Sequence, residues 1–166
     1  MHTRTEPTPA ATAPEPLAAN LCWLLSQAGH ALTTELTAGL EDLGISPRGH
    51  CVLTSAMTGD HTQTELARMV GIDKTTMVVT LDELEAAGLA ERRPAAADRR
   101  VRVIGVTAAG WAKVAEADKV SRRIQADVLE ALPSRERAAL MSALVRLVSG
   151  RLSEPAACAQ PVRRRA

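Results

Sequence analysis

The side chains with the clearest chemical potential in this 166-residue chain are cations and hydroxyls spaced to meet a polyanion. Lys74, Thr75, Thr76, Val79 and Thr80 follow a helix-start signal at Asp73, and the first turn of a helix lying in the major groove is the part that reaches base edges. Lys74 can donate to a guanine edge or a phosphate. The threonines can hydrogen-bond to either, or place a methyl against thymine. Further on, Asp98-Arg99-Arg100 lies between two short alternating segments. A guanidinium at the tip of such a hairpin can enter a narrow minor groove and exploit its enhanced negative potential. Asp98 is out of place in a phosphate-binding loop, and its better use is to pair with a neighbouring Arg and orient it. Against these readings stand two plainer ones: an ordinary surface helix, and solvated charges worth about 0 to 1 kcal/mol.

Other chemistries lack their parts. No convergent nucleophile, base and metal-ligand set is visible, and no Gly-rich phosphate cradle, so an enzyme is not expected. His2, His30, His50 and His61 are scattered; Cys22, Cys51 and Cys158 have no paired spacing. No metal or other cofactor is implied. The absence of a signal peptide and of a long apolar span predicts a reduced, cytoplasmic protein with no membrane partner. Phe and Tyr are missing, and Trp23 and Trp111 are the only large aromatics, which leaves little material for the stacking platforms of RNA and single-strand binders. A net charge of +1 does not announce a nucleic-acid partner, but the distribution is uneven. From Glu91 to Arg102 there are five Arg against Glu91 and Asp98. A non-specific architectural DNA binder would need a much larger basic surface than this.

The surrounding elements must hold these residues in place. Leu17, Leu21, Leu24, Leu25, Ala28, Leu32 and Leu36 recur at helical steps and predict one amphipathic helix over residues 17–42. Ser46-Pro47 starts a second helix, over 47–58. Thr62 and Glu65 fit a capping box, with Leu66, Met69 and Val70 expected to face inward and Gly71 to make a left-handed turn. The next helix covers 74–87, with Leu81 and Leu84 in the core. Residues 89–93 and 100–106 read as strands of an antiparallel hairpin with a basic tip, whose alanines offer no side chain to hold it. Thr107 caps a helix over 108–131, and a last helix runs from Ser134 to about Leu152. The predicted fold is mainly α with a small β-hairpin wing: a winged helix-turn-helix at 47–107, dimerisation helices at 17–46 and 108–152, and disordered tails at 1–16 and 153–166, the second one basic.

The ordered set Gly49-x-x-Val52-Leu53, Thr62-Gln63-x-Glu65-Leu66-Ala67, Lys74-Thr75-Thr76-Met77, Leu84-Glu85-Ala86-Ala87-Gly88-Leu89, Glu91-Arg92, Asp98-Arg99-Arg100 and Thr107-x-x-Gly110 resembles the MarR family of bacterial transcriptional regulators. The resemblance spans roughly residues 17–152. It implies a homodimer whose terminal helices interlock, a winged lobe on each side, a near-palindromic double-stranded operator, and repression relieved by a small molecule or, in one branch, by thiol oxidation. The match at Asp98-x-Arg100 carries over the wing roles: Arg100 for minor-groove entry and Asp98 to brace the wing. Two recognition helices would then sit about 34 Å apart, one turn of DNA.

Two triggers are open at this stage. Trp23 and His30 lie off the core face of the first helix, and with His50 and Cys51 in the next helix they could line a pocket for an aromatic or amphipathic effector. Equally, Trp23 and His30 could simply fill a dimer interface. Cys22, within Leu21-Cys22-Trp23-Leu24-Leu25, resembles the reactive cysteine of the organic-hydroperoxide regulators in this family. That branch surrounds its cysteine with tyrosines, which this chain lacks; a buried free cysteine is otherwise a small hydrophobe.

Overall fold

The computed structural model describes residues 15–154. The expected tails fall almost wholly outside the described residues, except that Glu15–Leu17 form a single 3-10 turn. Six helices and one two-stranded antiparallel hairpin follow in the order α1 (Leu21–Leu40), α2 (Pro47–Ala56), α3 (Gln63–Val70), α4 (Lys74–Ala86), β1 (Ala90–Pro94), β2 (Arg102–Val106), α5 (Ala108–Glu130) and α6 (Ser134–Ser149). The fold is therefore mainly α with a β-hairpin wing. Among the described residues, no helix is long and apolar enough to cross a membrane.

Local chemistry sets the boundaries. α1 starts four residues later than the apolar period suggests, because the Asn20 side chain accepts the Trp23 N–H at 2.9 Å and so acts as the cap. It ends at Leu40, where residues 41–43 tighten into a 3-10 turn before Gly44, at φ 64°, turns the chain left-handed. Ser46 caps α2 by accepting from the Gly49 N–H at 3.0 Å. At α3 the reciprocal box is complete: Thr62 Oγ1 accepts the Glu65 N–H, while Glu65 Oε2 accepts the Thr62 N–H at 2.7 Å. Gly71, at φ 73°, then redirects the chain so that Asp73 can cap α4.

The core joins the inner faces of α2, α3 and α4 to Leu40, the hairpin and the start of α5. Leu40, Val52, Leu53, Leu66, Met77 and Leu81 are fully buried, with Leu89, Ile104, Val114 and Ala117 packed among them. Each large apolar side chain buried in this way contributes roughly 1.5 to 3 kcal/mol. Met69, expected inward, is instead half exposed. α3 has only eight residues, and Leu66, Ala67 and Val70 define its inward stripe; Met69 falls away from that stripe at the helical period.

The chain divides into two compact units after Ser121, within α5. In the second unit, a turn at Pro133 joins the end of α5 to α6, and Arg137 donates from Nε to the Leu132 carbonyl at 2.9 Å and from Nη2 to the Glu130 carbonyl at 3.3 Å. These bonds satisfy acceptors that a helix C-terminus leaves open. α6 buries none of its residues, and Leu140, Met141, Val145 and Val148 lie on one exposed face of it.

Candidate DNA interface

α4 is held rigidly at its N-terminus. Asp73 accepts from the Thr76 N–H at 2.9 Å and from the Thr76 hydroxyl at 2.6 Å. Those bonds, to the hydroxyl first and the amide second, hold the Asp73 carboxyl below its ordinary pKa. Met77, Leu81 and Leu84 anchor the inner face, leaving Lys74, Thr75, Val78 and Val79 exposed on the outer one. Thr76, half-buried and engaged by the cap, sits at the edge of this stripe.

Thr80 requires a correction. It is 2% exposed, on the same side as Met77 and Leu84, and its hydroxyl donates to the Thr76 carbonyl at 2.8 Å. A threonine can satisfy its one donor on its own helix, so burial here leaves no open bond, and Thr80 is removed from the groove-facing set. Val78 is instead on the outer face, 39% exposed beside Val79. The signal for it was present in the sequence: with Met77, Leu81 and Leu84 inward, the 3.6-residue period turns 78 outward with 75 and 79.

The wing extends from the same core. β1 and β2 pair Arg92 with Ile104 and Arg93 with Val103. At the tip, Val101 N–H donates to the Asp98 carbonyl at 3.0 Å and Ala95 N–H to the Val101 carbonyl at 2.9 Å. Asp98 Oδ1 accepts the backbone N–H of Arg100 at 2.9 Å. The loop thus carries its own hydrogen bonds although its alanines have no side chain to hold it. Asp98 also works differently from the expected pairing with a guanidinium: it fixes the backbone of the turn, and Arg99 and Arg100 are exposed beyond it.

Two other arginines of the run, Arg92 and Arg93, are held by carboxylates, whereas Arg102 is exposed. Arg92 donates from Nη1 to Glu85 and from Nη2 to Asp82 at 2.8 Å, while its backbone N–H reaches Glu85 Oε1 at 2.8 Å. This joins β1 to the far end of α4 and offsets two carboxylates there. Arg93 pairs with Asp60 at 2.8 Å. A lysine, one exposed threonine hydroxyl and two valines on a helix, flanked by an arginine-tipped hairpin, form a surface able to meet a helix-sized groove and the groove beside it.

Known proteins share this arrangement. Residues 43–101 match the MarR family model. The transcriptional regulator PA3341 is 31% identical over 79% of this chain and 97% of its own, with a TM-score of 0.68. The chain belongs to the MarR family. The transcriptional repressor CouR, solved bound to a 23-mer DNA duplex, is 28% identical over 81% of this chain and 96% of its own, with a TM-score of 0.73. The MarR family protein Rv2887 of Mycobacterium tuberculosis, solved with p-aminosalicylic acid, is 28% identical over 78% and 98% respectively, with a TM-score of 0.66. As a MarR-family member this chain is a DNA-binding transcriptional regulator, not an enzyme.

The residues suggested for control in this MarR-family chain are less closely grouped. Trp23 is half-buried and His30 exposed on α1. His50 Nε2 lies 2.8 Å from Asp118 Oδ1, linking α2 to α5, so its ring is engaged within the chain. Cys51 keeps an exposed surface, while partial desolvation raises its thiol pKa and disfavours the thiolate at neutral pH. Cys22 is exposed on α1 rather than buried. An open cavity of about 580 Å³ lies where α1 meets α2, lined by Thr34, Thr37, Glu41, Ile45 and Ser46 among others. Trp23, His30, His50 and Cys51 are not in that lining.

Proposed function

We propose that this MarR-family regulator is a cytoplasmic, homodimeric repressor that binds a near-palindromic double-stranded operator and leaves it when a small-molecule effector binds. The observation that carries the DNA reading is the exposed stripe of Lys74, Thr75, Val78 and Val79 beside a wing whose turn holds Arg99 and Arg100 outward. In this reading the stripe lies in the major groove and Arg100 in the adjacent minor groove. Dimerisation is supported by the apolar faces left open at both ends of the chain: Leu21, Leu24 and Leu25 on α1, and Leu140, Met141, Val145 and Val148 on α6. Patches of this kind mark interaction surfaces, and a two-fold assembly would match the symmetry of a palindromic site. Effector control is supported by Rv2887, solved with a small aromatic acid. An effector acts only as far as it binds the release geometry better than the DNA-bound one.

Footprinting on the chain's own upstream region, followed by titration with Arg100→Ala, tests the proposal. The variant should lose about ten- to a hundredfold in specific affinity, as expected for a lost groove contact of roughly 1 to 3 kcal/mol. Unchanged affinity would remove the wing from the interface.

A further inference from the structure

Adjacent strand residues point to opposite faces, and on β1 both faces are tied down. Arg92 binds Asp82 and Glu85 of α4 on one side, whereas Arg93 binds Asp60, in the turn between α2 and α3, on the other. Arg93 pairs in register with Val103, which makes Gly105 its diagonal neighbour on the same face. A Cβ added at Gly105 would lie 2.8 Å from Arg93 Nε and 3.1 Å from Arg93 Cδ. A side chain there would crowd the end of Arg93 and displace it from its present path to Asp60. The neighbouring Ile104 N–H donates to the His61 carbonyl at 2.9 Å, so this same turn holds the base of the wing by backbone as well.

We propose that Asp60 and Arg93, crossing at Gly105, are positioning residues for DNA binding. They fix the angle of the wing against the helix-turn-helix so that Arg100 and the α4 stripe engage adjacent grooves together. Arg93 spends its charge on Asp60 and does not contact phosphate itself. The inference rests on the wing reading given under the proposed function.

The test uses the full chain and the duplex that the wild-type protein enriches from a random-sequence double-stranded pool. Asp60→Asn and Gly105→Ala should each weaken binding by about three- to fivefold, the scale of one half-exposed ion pair, with thermal melts lowered by no more than about 4 °C and the protein fully folded at the assay temperature. The exchanged pair Asp60→Arg with Arg93→Asp should recover most of the loss. In an Arg100→Ala background, Asp60→Asn should cause no further loss, because its effect passes through the wing. Tighter binding by Asp60→Asn would overturn the inference, since a released Arg93 would then be reaching phosphate. Unchanged binding by Asp60→Asn and Gly105→Ala, with Arg100→Ala still weakened, would overturn it too while sparing the wing reading. If Arg100→Ala itself binds as wild type, the wing reading fails and the brace with it.

Discussion

Gly110 should be among the least replaceable residues in the chain. It lies in the first turn of α5, where that helix crosses the turn between α4 and β1. Thr107 holds the crossing: its N–H donates to the Leu89 carbonyl at 3.1 Å, its hydroxyl to the Gly88 carbonyl at 2.7 Å, and its oxygen accepts the Gly110 N–H at 3.0 Å. A Cβ at position 110 would fall far inside contact distance of the Leu89 carbonyl oxygen and 2.7 Å from Val106 Cγ1. Carbon atoms prefer separations of about 3.5 to 4.0 Å, so Gly110→Ala requires about an ångström of movement between α5 and the base of the wing. The obstacle is partly backbone, which a rotamer change does not clear. Overpacking in a close-packed interior costs about 1 to 3 kcal/mol, and this case belongs at the upper end. Urea unfolding should show a loss of about 2 to 3 kcal/mol, and a thermal melt a drop of roughly 4 to 12 °C. Operator affinity should fall as well, because the base of the wing moves with α5. A loss below about 0.5 kcal/mol, within the ordinary range of surface substitutions, would refute the reasoning.

Three other outcomes follow from the described geometry. The bonds from Thr62 to Glu65 and from Thr76 to Asp73 lower both carboxyl pKa values in the folded chain. The stabilisation is therefore present above the unfolded values and lost as pH falls below about 4; Asp73→Asn should flatten the stability profile measured by denaturant titration between pH 5 and pH 2, and an equally steep profile would count against the cap. Val145→Glu, on the 58% exposed apolar position of α6, should convert a dimer to monomer in sedimentation and abolish high-affinity operator binding, with an unchanged sedimentation coefficient excluding α6 from the interface. Cys22→Ser should retain DNA release by a small aromatic acid; loss of peroxide-triggered release in that variant would instead favour thiol control.

What was legible in the sequence was mostly local. Ser46, Thr62 with Glu65, and Asp73 announce helix starts through bonds that span three residues, and the apolar period supplies the inward faces of α2 and α4. Distant pairings were not legible. Arg92 and Arg93 read as strand residues of a locally basic run, yet both are held by carboxylates up to 33 residues away. Thr80 read as a groove contact because its polarity was visible while its bond to the Thr76 carbonyl was not. Asp98 was expected to pair with a neighbouring arginine side chain, and sequence gives no sign that it would choose the Arg100 amide instead. The residues suggested for an effector were grouped by helix face alone, and His50 proved to be engaged by Asp118, 68 positions away.

The inward pairing of Arg92 and Arg93 also bears on how binding responds to ionic strength. A cation already neutralised by a carboxylate displaces no condensed counterion from DNA. If only Lys74, Arg99 and Arg100 of each subunit meet phosphates or grooves, a dimer neutralises about six charges, giving a slope of log affinity against log salt of about −5. Had Arg92 and Arg93 contributed as well, a dimer would neutralise about ten charges and the slope would approach about −9. On that reading the braces would trade raw electrostatic attraction for shape, and the regulator would hold its site over a wider span of salt and adhere less to DNA at large.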